Sequence, residues 1–512
     1  MTRLKLLTQH KLYQFISCYI IYFVGFFLIF LIFWLKKEFG DVTFEQVVYH
    51  LQFGSEGILS ADDKMVRSFY LKCLITPSSL AFCFSMFNAD VIRSIKHVYF
   101  KIKNILLTML LKFEGGQKLI SVPSRYYFLA AAIIYAFHQL GVFSYMADTI
   151  LPSGKDFYAE QYKSPSTTHI NAAKPRNLVL IYVESLESTY SDQKVFNEDL
   201  VQKLSVDSLG GLSFTQQRQI SGTGWTMAGI VSTQCGIPLK AAFGGGDRRK
   251  NDLTEVTSSF LPNIKCLGDV LKEHHFHNVF MGGASLKFAG KGNFFQSHGY
   301  DEAYGREEFI SIYGSKLALN HWGIYDDDLF KIAKEKIDVL QKQATPYNLT
   351  LLTLDMHQPE GNLSKTCIAA GAIKFKDIVR CTANSIADLV SYMGEKGYLE
   401  NTTVVILGDH LAMTNPLIKK LQKSAHRRVF NLYITKNMPL VKNRNEITHV
   451  DHLPSILDSI NLKVEGGQLG LGISGFSSQK IADTQDRFKL LDHYGTKTSK
   501  TYMEFWIKPT EK

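Results

Sequence analysis

Thr403-Val-Val-Ile-Leu-Gly408 is an apolar, β-branched run that ends in Asp409-His410. A hydrophobic strand ending in Asp-His sets two metal ligands at the carboxyl edge of a sheet, where open α/β sheets place their sites. Strands often end in polar turns, so the pair gains meaning only with partners. Asn177–Val183 (NLVLIYV) is a second strand of the same kind and ends in Glu184. Near-continuous apolar runs belong to parallel strands buried on both faces. Carboxylate, carboxylate and imidazole suit Mn²⁺, Mg²⁺ or Zn²⁺. Taken alone, Glu184 also reads as a first-turn carboxylate interacting with a helix dipole.

Working outward, strand and helix signals alternate. Strands are predicted at 177–183, 277–281, 348–354, 403–408 and 429–434, and helices at 226–235, 264–275, 323–343, 382–397 and 451–460. This alternation predicts an α/β fold with a mainly parallel sheet and helices on both faces. Residues 241–260 read as a long surface loop, a candidate lid. Asp156–Arg176 is polar and reads as an arm within a linker, 151–176, that precedes the catalytic part, 177–512.

The front of the 512-residue chain differs in kind. Phe15–Leu35 holds no charge and is long enough to cross a bilayer, a span needing roughly 20 residues. Further spans are predicted at about 68–87 and 126–146, which makes 1–150 a transmembrane helical domain. Ile105–Leu111 is short and flanked by Lys101, Lys103 and Lys112, so 98–113 reads as interfacial or loop. Arg3, Lys5 and Lys11 precede the first span, and Arg93, Lys96, Lys101, Lys103, Lys112, Lys118 and Arg125 lie between the second and third. Between spans one and two, Lys36, Lys37 and Lys64 mix with six carboxylates. The positive-inside rule makes the two basic segments cytoplasmic and puts everything after Met146 outside. The net charge of +10 is then topology signal and attraction to lipid heads, with no nucleic-acid partner implied.

Cys18, Cys73 and Cys83 lie in the predicted spans, while Cys235, Cys266, Cys367 and Cys381 lie in the soluble part. An even number fits an oxidising compartment. Of the three possible pairings, Cys235–Cys266 and Cys367–Cys381 close the shortest loops.

Between the two ligand-bearing strands sits Ser221-Gly-Thr-Gly-Trp-Thr226-Met-Ala-Gly229, a glycine turn that becomes a helix. A helix start offers free N–H groups to an anion. A hydroxyl there, beside a divalent cation, can lose its proton and attack phosphorus. Thr226 is the first candidate, with Thr223 and Ser221 behind it, and a plain N-cap is the competing reading. His357 follows the strand at 348–354 and also lies at the carboxyl edge, where it reads equally as a hydrogen-bonded loop histidine.

Several segments carry a resemblance. Val183-Glu-Ser-Leu-Glu187, Gly222–Gly229, Ser232–Leu239, Phe288-Ala-Gly-Lys291, Ser297–Asp301, Trp322–Asp327 and Asp409–Met413 resemble the membrane-bound phosphoglycerol transferase I family, which modifies osmoregulated periplasmic glucans. That family is similar to lipoteichoic acid synthases and, more distantly, to phosphoethanolamine transferases, all of the alkaline phosphatase/sulfatase superfamily. The resemblance implies one Mn²⁺-like site made by Glu184, Thr226, Asp409 and His410, with Thr226 as the nucleophile. It implies that His357 contacts the phosphoglycerol head or handles a proton. It places Lys291 near the phosphate, where the synthases have Arg. Relatives often have His-His at His357-Gln358, and some have a long extension beyond the point matching Lys512; both differences bear on the acceptor.

The expected function is transfer of sn-glycerol 1-phosphate from phosphatidylglycerol to an extracytoplasmic glycan through a phospho-threonine-type intermediate. The setting would be the bacterial inner membrane, multi-pass, with the catalytic domain in the periplasm. A phosphoethanolamine transferase or metal-dependent phosphohydrolase is the alternative within the fold. A non-catalytic membrane sensor is the alternative outside catalysis, and an intact ligand set weighs against it.

Three signals carry less. Ser121-Val-Pro-Ser-Arg125 matches a short sulfatase activation pattern but lies before a span, far from the ligand-bearing strands. His274, His275 and His277 close a helix and open a strand without a Cys partner at zinc spacing. His449 and Asp451 open a late helix and are candidates for a supporting or second-metal role.

Overall fold

The computed structural model describes residues 2–52, 63–86, 123–150, 156–172, 174–240, 259–479, 481, 483–497 and 499–507. The chain divides into two units, Met1–Phe44 with Asp63–Ser144, and Glu45–Asp62 with Tyr145–Lys512. Ile105–Leu111 and residues 241–258 of the candidate lid lie outside the described residues.

The described residues of the first unit are mostly helical. Helix α1 (Thr2–Phe39) is followed in sequence by α2 (Phe44–Gln52), nearly all of which belongs to the second unit. Leu12–Phe39 and Met65–Met86 are long and apolar enough to cross a membrane. Their outward side chains are apolar, with Ile20, Phe33 and Phe82 exposed. α1 meets α3 (Ser124–Leu140) where the rings of Phe26 and Phe128 sit 4.9 Å apart. The segment predicted as a third span, 126–146, is interrupted. α3 stops at Gly141, whose φ of +68° closes the helix, and a new helix runs over Val142–Ile150. An apolar pattern runs across such a glycine, while the left-handed cap it permits ends the helical hydrogen bonding.

The second unit is built on six strands: β1 (Asn177–Val183), β2 (His277–Gly282), β3 (Glu302–Tyr304), β4 (Tyr347–Leu352), β5 (Thr402–Gly408) and β6 (Asn431–Ile434). Their order is β3-β2-β4-β1-β5-β6. All neighbours are parallel except β6, which runs antiparallel to β5 at the edge. The three-residue β3 is too short to leave a periodic signal in the sequence. Every residue of β1 and β5 is buried. Val179, Ile181 and Val183 join a core with α5 (Asp326–Leu340) and α6 (Phe375–Glu395). On the other face the Tyr182 hydroxyl meets Thr233 Oγ1 at 2.6 Å, on α4 (Thr226–Cys235). A further helix, α7 (His452–Ser459), is buried throughout. In register, Asn177 faces Thr402 and Val183 faces Gly408. The two strands therefore end level, and Glu184 and Asp409 leave the sheet side by side.

Two segments differ from expectation. α6 begins at Phe375 instead of 382, because the Asp377 carboxylate accepts from the Lys374 N–H at 2.9 Å and caps the helix there. The Asp156–Arg176 arm is folded: Phe157–Gln161 is helical, and Ile170–Ala172 pairs antiparallel with Leu462–Val464. The buried Tyr158 donates to the Gly495 carbonyl at 2.6 Å, which ties this arm to the carboxyl-terminal segment. The cysteines pair as Cys235–Cys266 and Cys367–Cys381.

Candidate active site

The level ends of β1 and β5 bring Glu184, Asp409 and His410 together. One ligand atom from each lies within 4.8 Å of the others, and all three residues are buried. His410 Nε2 sits 3.5 Å from Glu184 Oε1 and 3.5 Å from Asp409 Oδ2. Its Nδ1 lies 2.8 Å from the Leu411 carbonyl, which can only accept, so Nδ1 carries the proton and Nε2 faces the carboxylates.

Ser185 ties the two strand ends together. Its N–H donates to Asp409 Oδ1 at 2.8 Å and its hydroxyl to Glu184 Oε1 at 2.7 Å. Its φ of +55° is left-handed, a conformation that costs a non-glycine residue about 1–2 kcal/mol and is held here by those two bonds. Asp409 Oδ2 is buried and lacks a hydrogen-bond partner. His449, the candidate support, donates from Nε2 to the Asp409 carbonyl at 2.9 Å. It thereby orients the backbone of Asp409, while Asp451 is taken up by Arg487 and the N–H groups of Thr448 and Ile473. His277 pairs with Glu302 at 2.7 Å at the far edge of the sheet.

The electrostatics follow from burial and crowding. Burial pushes the Asp409 carboxyl up to about 7, with the Glu184 charge adding to it and His410 opposing. Burial acts the same way on Glu184, but the His410 hydrogen bond and the charges of His357 and His410 win and hold it at about 2. Burial lowers His410, yet Asp409 and Glu184 outweigh it and raise the imidazole to about 9. Two carboxylates and the imidazole Nε2 converge on one point, and one carboxylate oxygen lacks a donor. Those residues fit a divalent cation.

The helix α4 starts against this cluster. Thr226 Oγ1 donates to Glu184 Oε2 at 3.3 Å. The other two hydroxyls are engaged elsewhere: Thr223 donates to the Ile220 carbonyl at 2.7 Å, and Ser221 to Asp492 at 3.0 Å. Close approach of α4 to β5 depends on Gly229. A Cβ there would lie 2.0 Å from the Asp409 carbonyl oxygen, which is itself fixed by His449. Gly229→Ala is expected to push α4 from the cluster and cost about 1–3 kcal/mol, as overpacking does. Thermal denaturation with and without a divalent cation checks this: the variant should melt lower and gain less from the cation.

Lys291 and His357 complete the neighbourhood. Lys291 is buried, and burial lowers its ammonium to about 7 against the raising charges of Glu184 and Glu307. His357 Nδ1 lies 2.9 Å from the Gln358 carbonyl, so the proton sits on Nδ1 and Nε2 keeps its lone pair. Burial lowers its pKa, with Glu184 opposing, which favours the neutral ring. Trp322 packs against it at a tilt of 49°, ring centroids 4.2 Å apart. The loop carrying His357 is clamped to α5: Asp326 accepts from the N–H groups of Leu354 (2.7 Å) and Asp355 (3.2 Å), and Asp355 from that of Asp326 (3.1 Å). Ser185, Gly229 and Trp322 were not singled out individually by sequence reasoning. A serine after a strand-end carboxylate, or a glycine inside a helix, carries no local mark of a long-range contact.

The chain is similar to several known proteins. The chain is 36% identical over 343 residues to phosphoglycerol transferase I of Escherichia coli O127:H6 (strain E2348/69), covering 64% of this chain and 42% of that protein. The chain thus spans less than half the length of the curated relatives it matches. Among solved structures, a lipoteichoic acid synthase, LtaP from Listeria monocytogenes, aligns with 66% of this chain and 96% of its own at 14% identity and TM-score 0.47. An alkaline phosphatase superfamily protein from Vibrio parahaemolyticus aligns with 63% of this chain and 76% of its own at 20% identity and TM-score 0.45. Residues 176–462 match the sulfatase family, which takes in β1 to β6, α4 and the Glu184–Asp409–His410 cluster, and the chain belongs to that family.

Proposed function

We propose that this protein is a phosphoglycerol transferase that moves sn-glycerol 1-phosphate from phosphatidylglycerol to an extracytoplasmic glycan. The observation that carries the reading is the Thr226 hydroxyl, at the start of α4 and 3.3 Å from Glu184 in the Glu184–Asp409–His410 cluster. The 36% identity to a phosphoglycerol transferase I supports the choice of donor. The two long apolar helices support an inner-membrane setting beside a lipid donor, with the catalytic unit in the periplasm.

Glu184, Asp409, His410 and Thr226 Oγ1 would hold a divalent cation, Mn²⁺ being our choice, which would supply positive charge that eases loss of the hydroxyl proton and offsets phosphate charge. Lys291 binds the anionic phosphate. Thr226 Oγ forms a bond to phosphorus as the ester bond to diacylglycerol breaks, and diacylglycerol leaves with the hydroxyl proton. In the second displacement an acceptor hydroxyl attacks the same phosphorus. His357 Nε2 takes the acceptor's proton, and Thr226 Oγ leaves and is reprotonated. The aromatic face of Trp322 keeps the His357 ring oriented and sheltered from water.

Presenting labelled phosphatidylglycerol and phosphatidylethanolamine side by side, with Mn²⁺, tests the donor. Release of diacylglycerol from the first lipid only is the expected result; preference for the second overturns the reading. The pH dependence of KM gives a second check. Lys291, lowered to about 7, is charged below that pH and neutral above it. KM for the anionic donor should therefore climb as pH rises past 7, by up to about tenfold per unit for a single proton. Lys291→Arg stays charged and should flatten that climb.

A further inference from the structure

Helix α2 stands apart from the fold that surrounds it. It comes from between the two long apolar helices in sequence, yet Glu45 onward belongs to the catalytic unit. Tyr49 is fully buried and its hydroxyl donates to the Ala289 carbonyl at 2.8 Å, across 240 residues of sequence. Ala289 has a φ of +56° and ψ of +26°, a left-handed conformation that an alanine adopts only when its surroundings impose it. Gly290 follows with a φ of +70°, and the next residue is Lys291. Tyr49 therefore anchors the strained turn that delivers Lys291.

His50 packs on the same turn. Its ring stacks on Phe288 at 5.8 Å, and the Lys291 ammonium lies 4.5 Å over that same Phe288 ring. Phe288 meets Trp322 at 5.5 Å, and Trp322 meets His357 at 4.2 Å. Tyr49 also approaches Trp225, the residue before Thr226, at 6.1 Å. Two aromatic paths thus start on α2 and end at His357 and at the start of α4. Burial and the nearby Lys291 lower His50 to about 4, so a neutral ring faces the lysine without repelling it.

We infer that α2 is a wall of the active site, in which Tyr49 and His50 are positioning residues that hold the Phe288–Lys291 turn and set the Lys291 ammonium at the phosphate subsite. The inference rests on the proposed role of Lys291 at a phosphate. A segment joined directly to α1 would then complete the catalytic unit, and a fragment beginning after residue 145 would lack it.

The test uses the full chain in lipid nanodiscs, with Tyr49→Phe and His50→Ala. The decisive readout is acylation of Lys291 by an amine-reactive reagent at pH 7, mapped by mass spectrometry, with melting temperature measured in parallel. Either variant, shown by a cooperative melting transition to remain folded, should label Lys291 several-fold faster. Loss of positioning should also lower kcat/KM for phosphatidylglycerol about tenfold, within the range that small misplacements of reacting groups cause. Should one variant fail to fold, the other decides. Labelling within twofold of the parent in a folded variant overturns the inference. Faster labelling in a protein whose parent does not turn over phosphatidylglycerol leaves α2 as the wall and overturns the donor instead.

Discussion

Thr226→Ala should lower transfer from phosphatidylglycerol by more than about 10⁴-fold, the scale on which loss of an enzyme nucleophile is felt. The reason is geometric. Among Ser221, Thr223 and Thr226, Thr226 alone directs its hydroxyl at the carboxylate cluster, while the other two are bonded to Asp492 and the Ile220 carbonyl. Removing one hydroxyl at the first position of a buried helix leaves the helix intact, so the variant should melt close to the parent. Thr226→Ser keeps the hydroxyl and should retain measurable turnover. In the parent, rapid quenching after phosphatidylglycerol addition should leave a phosphoglycerol adduct on the peptide carrying Thr226, and the alanine variant should have none. Near-normal turnover by Thr226→Ala, or an adduct on Thr223 or Ser221, would sink the assignment.

Cation binding should be steeply pH-dependent, and Asp409→Asn should abolish most of it. In the cation-free protein the His410 imidazole holds its proton up to about pH 9, because Asp409 and Glu184 outweigh the effect of burial. A cation takes the Nε2 lone pair, so binding expels that proton. Apparent affinity therefore rises with pH up to about 9 and weakens about tenfold for each unit below it. Below about pH 7 the Asp409 carboxyl, pushed up by burial, adds a second proton to be expelled and steepens the loss. Asp409→Asn replaces a carboxylate oxygen of the cluster that is buried without a hydrogen-bond partner. Its cost should exceed the roughly 10–100-fold typical of losing a group that only supports a metal ligand. Titration calorimetry of Mn²⁺ in buffers of different ionisation heat counts the protons released. At a hundred times Kd the cation should add about 2.7 kcal/mol to parental stability, and the variant should gain little. A pH-independent affinity, or an unchanged one in Asp409→Asn, would count against a cation at this cluster.

Much of the architecture is legible in the chain itself. β1 and β5 read as strands because burial on both faces leaves Asn177 and the Tyr182 hydroxyl as the only polar groups of NLVLIYV, and only threonine in TTVVILG. The polar residues closing each run, Glu184 and Asp409-His410, stand out against those apolar stretches as candidate ligands, and the fold brings them together. The apolar length of the first helices was equally plain, whereas Gly141 stopped the third, since a single residue's φ decides a helix end. α6 was misread at its start because the Asp377 cap lies outside the apolar pattern.

What the sequence determined by itself is composition along short stretches: which segments are buried, which end in carboxylates and imidazoles, which hydroxyls stand near a helix start. What only the tertiary structure decided is who meets whom. The register that sets Val183 opposite Gly408 makes Glu184 and Asp409 neighbours across 225 positions of sequence, and Ser185 bridges them with a backbone bend that no propensity favours. The direction of one hydroxyl separates Thr226 from Thr223 and Ser221. The bond from Tyr49 to Ala289 brings a segment from between two apolar helices to the turn of Lys291. Local patterns report burial because burial acts on each residue in turn. Register, rotamer and long-range pairing are properties of the packed whole, and they become visible only once the chain has folded.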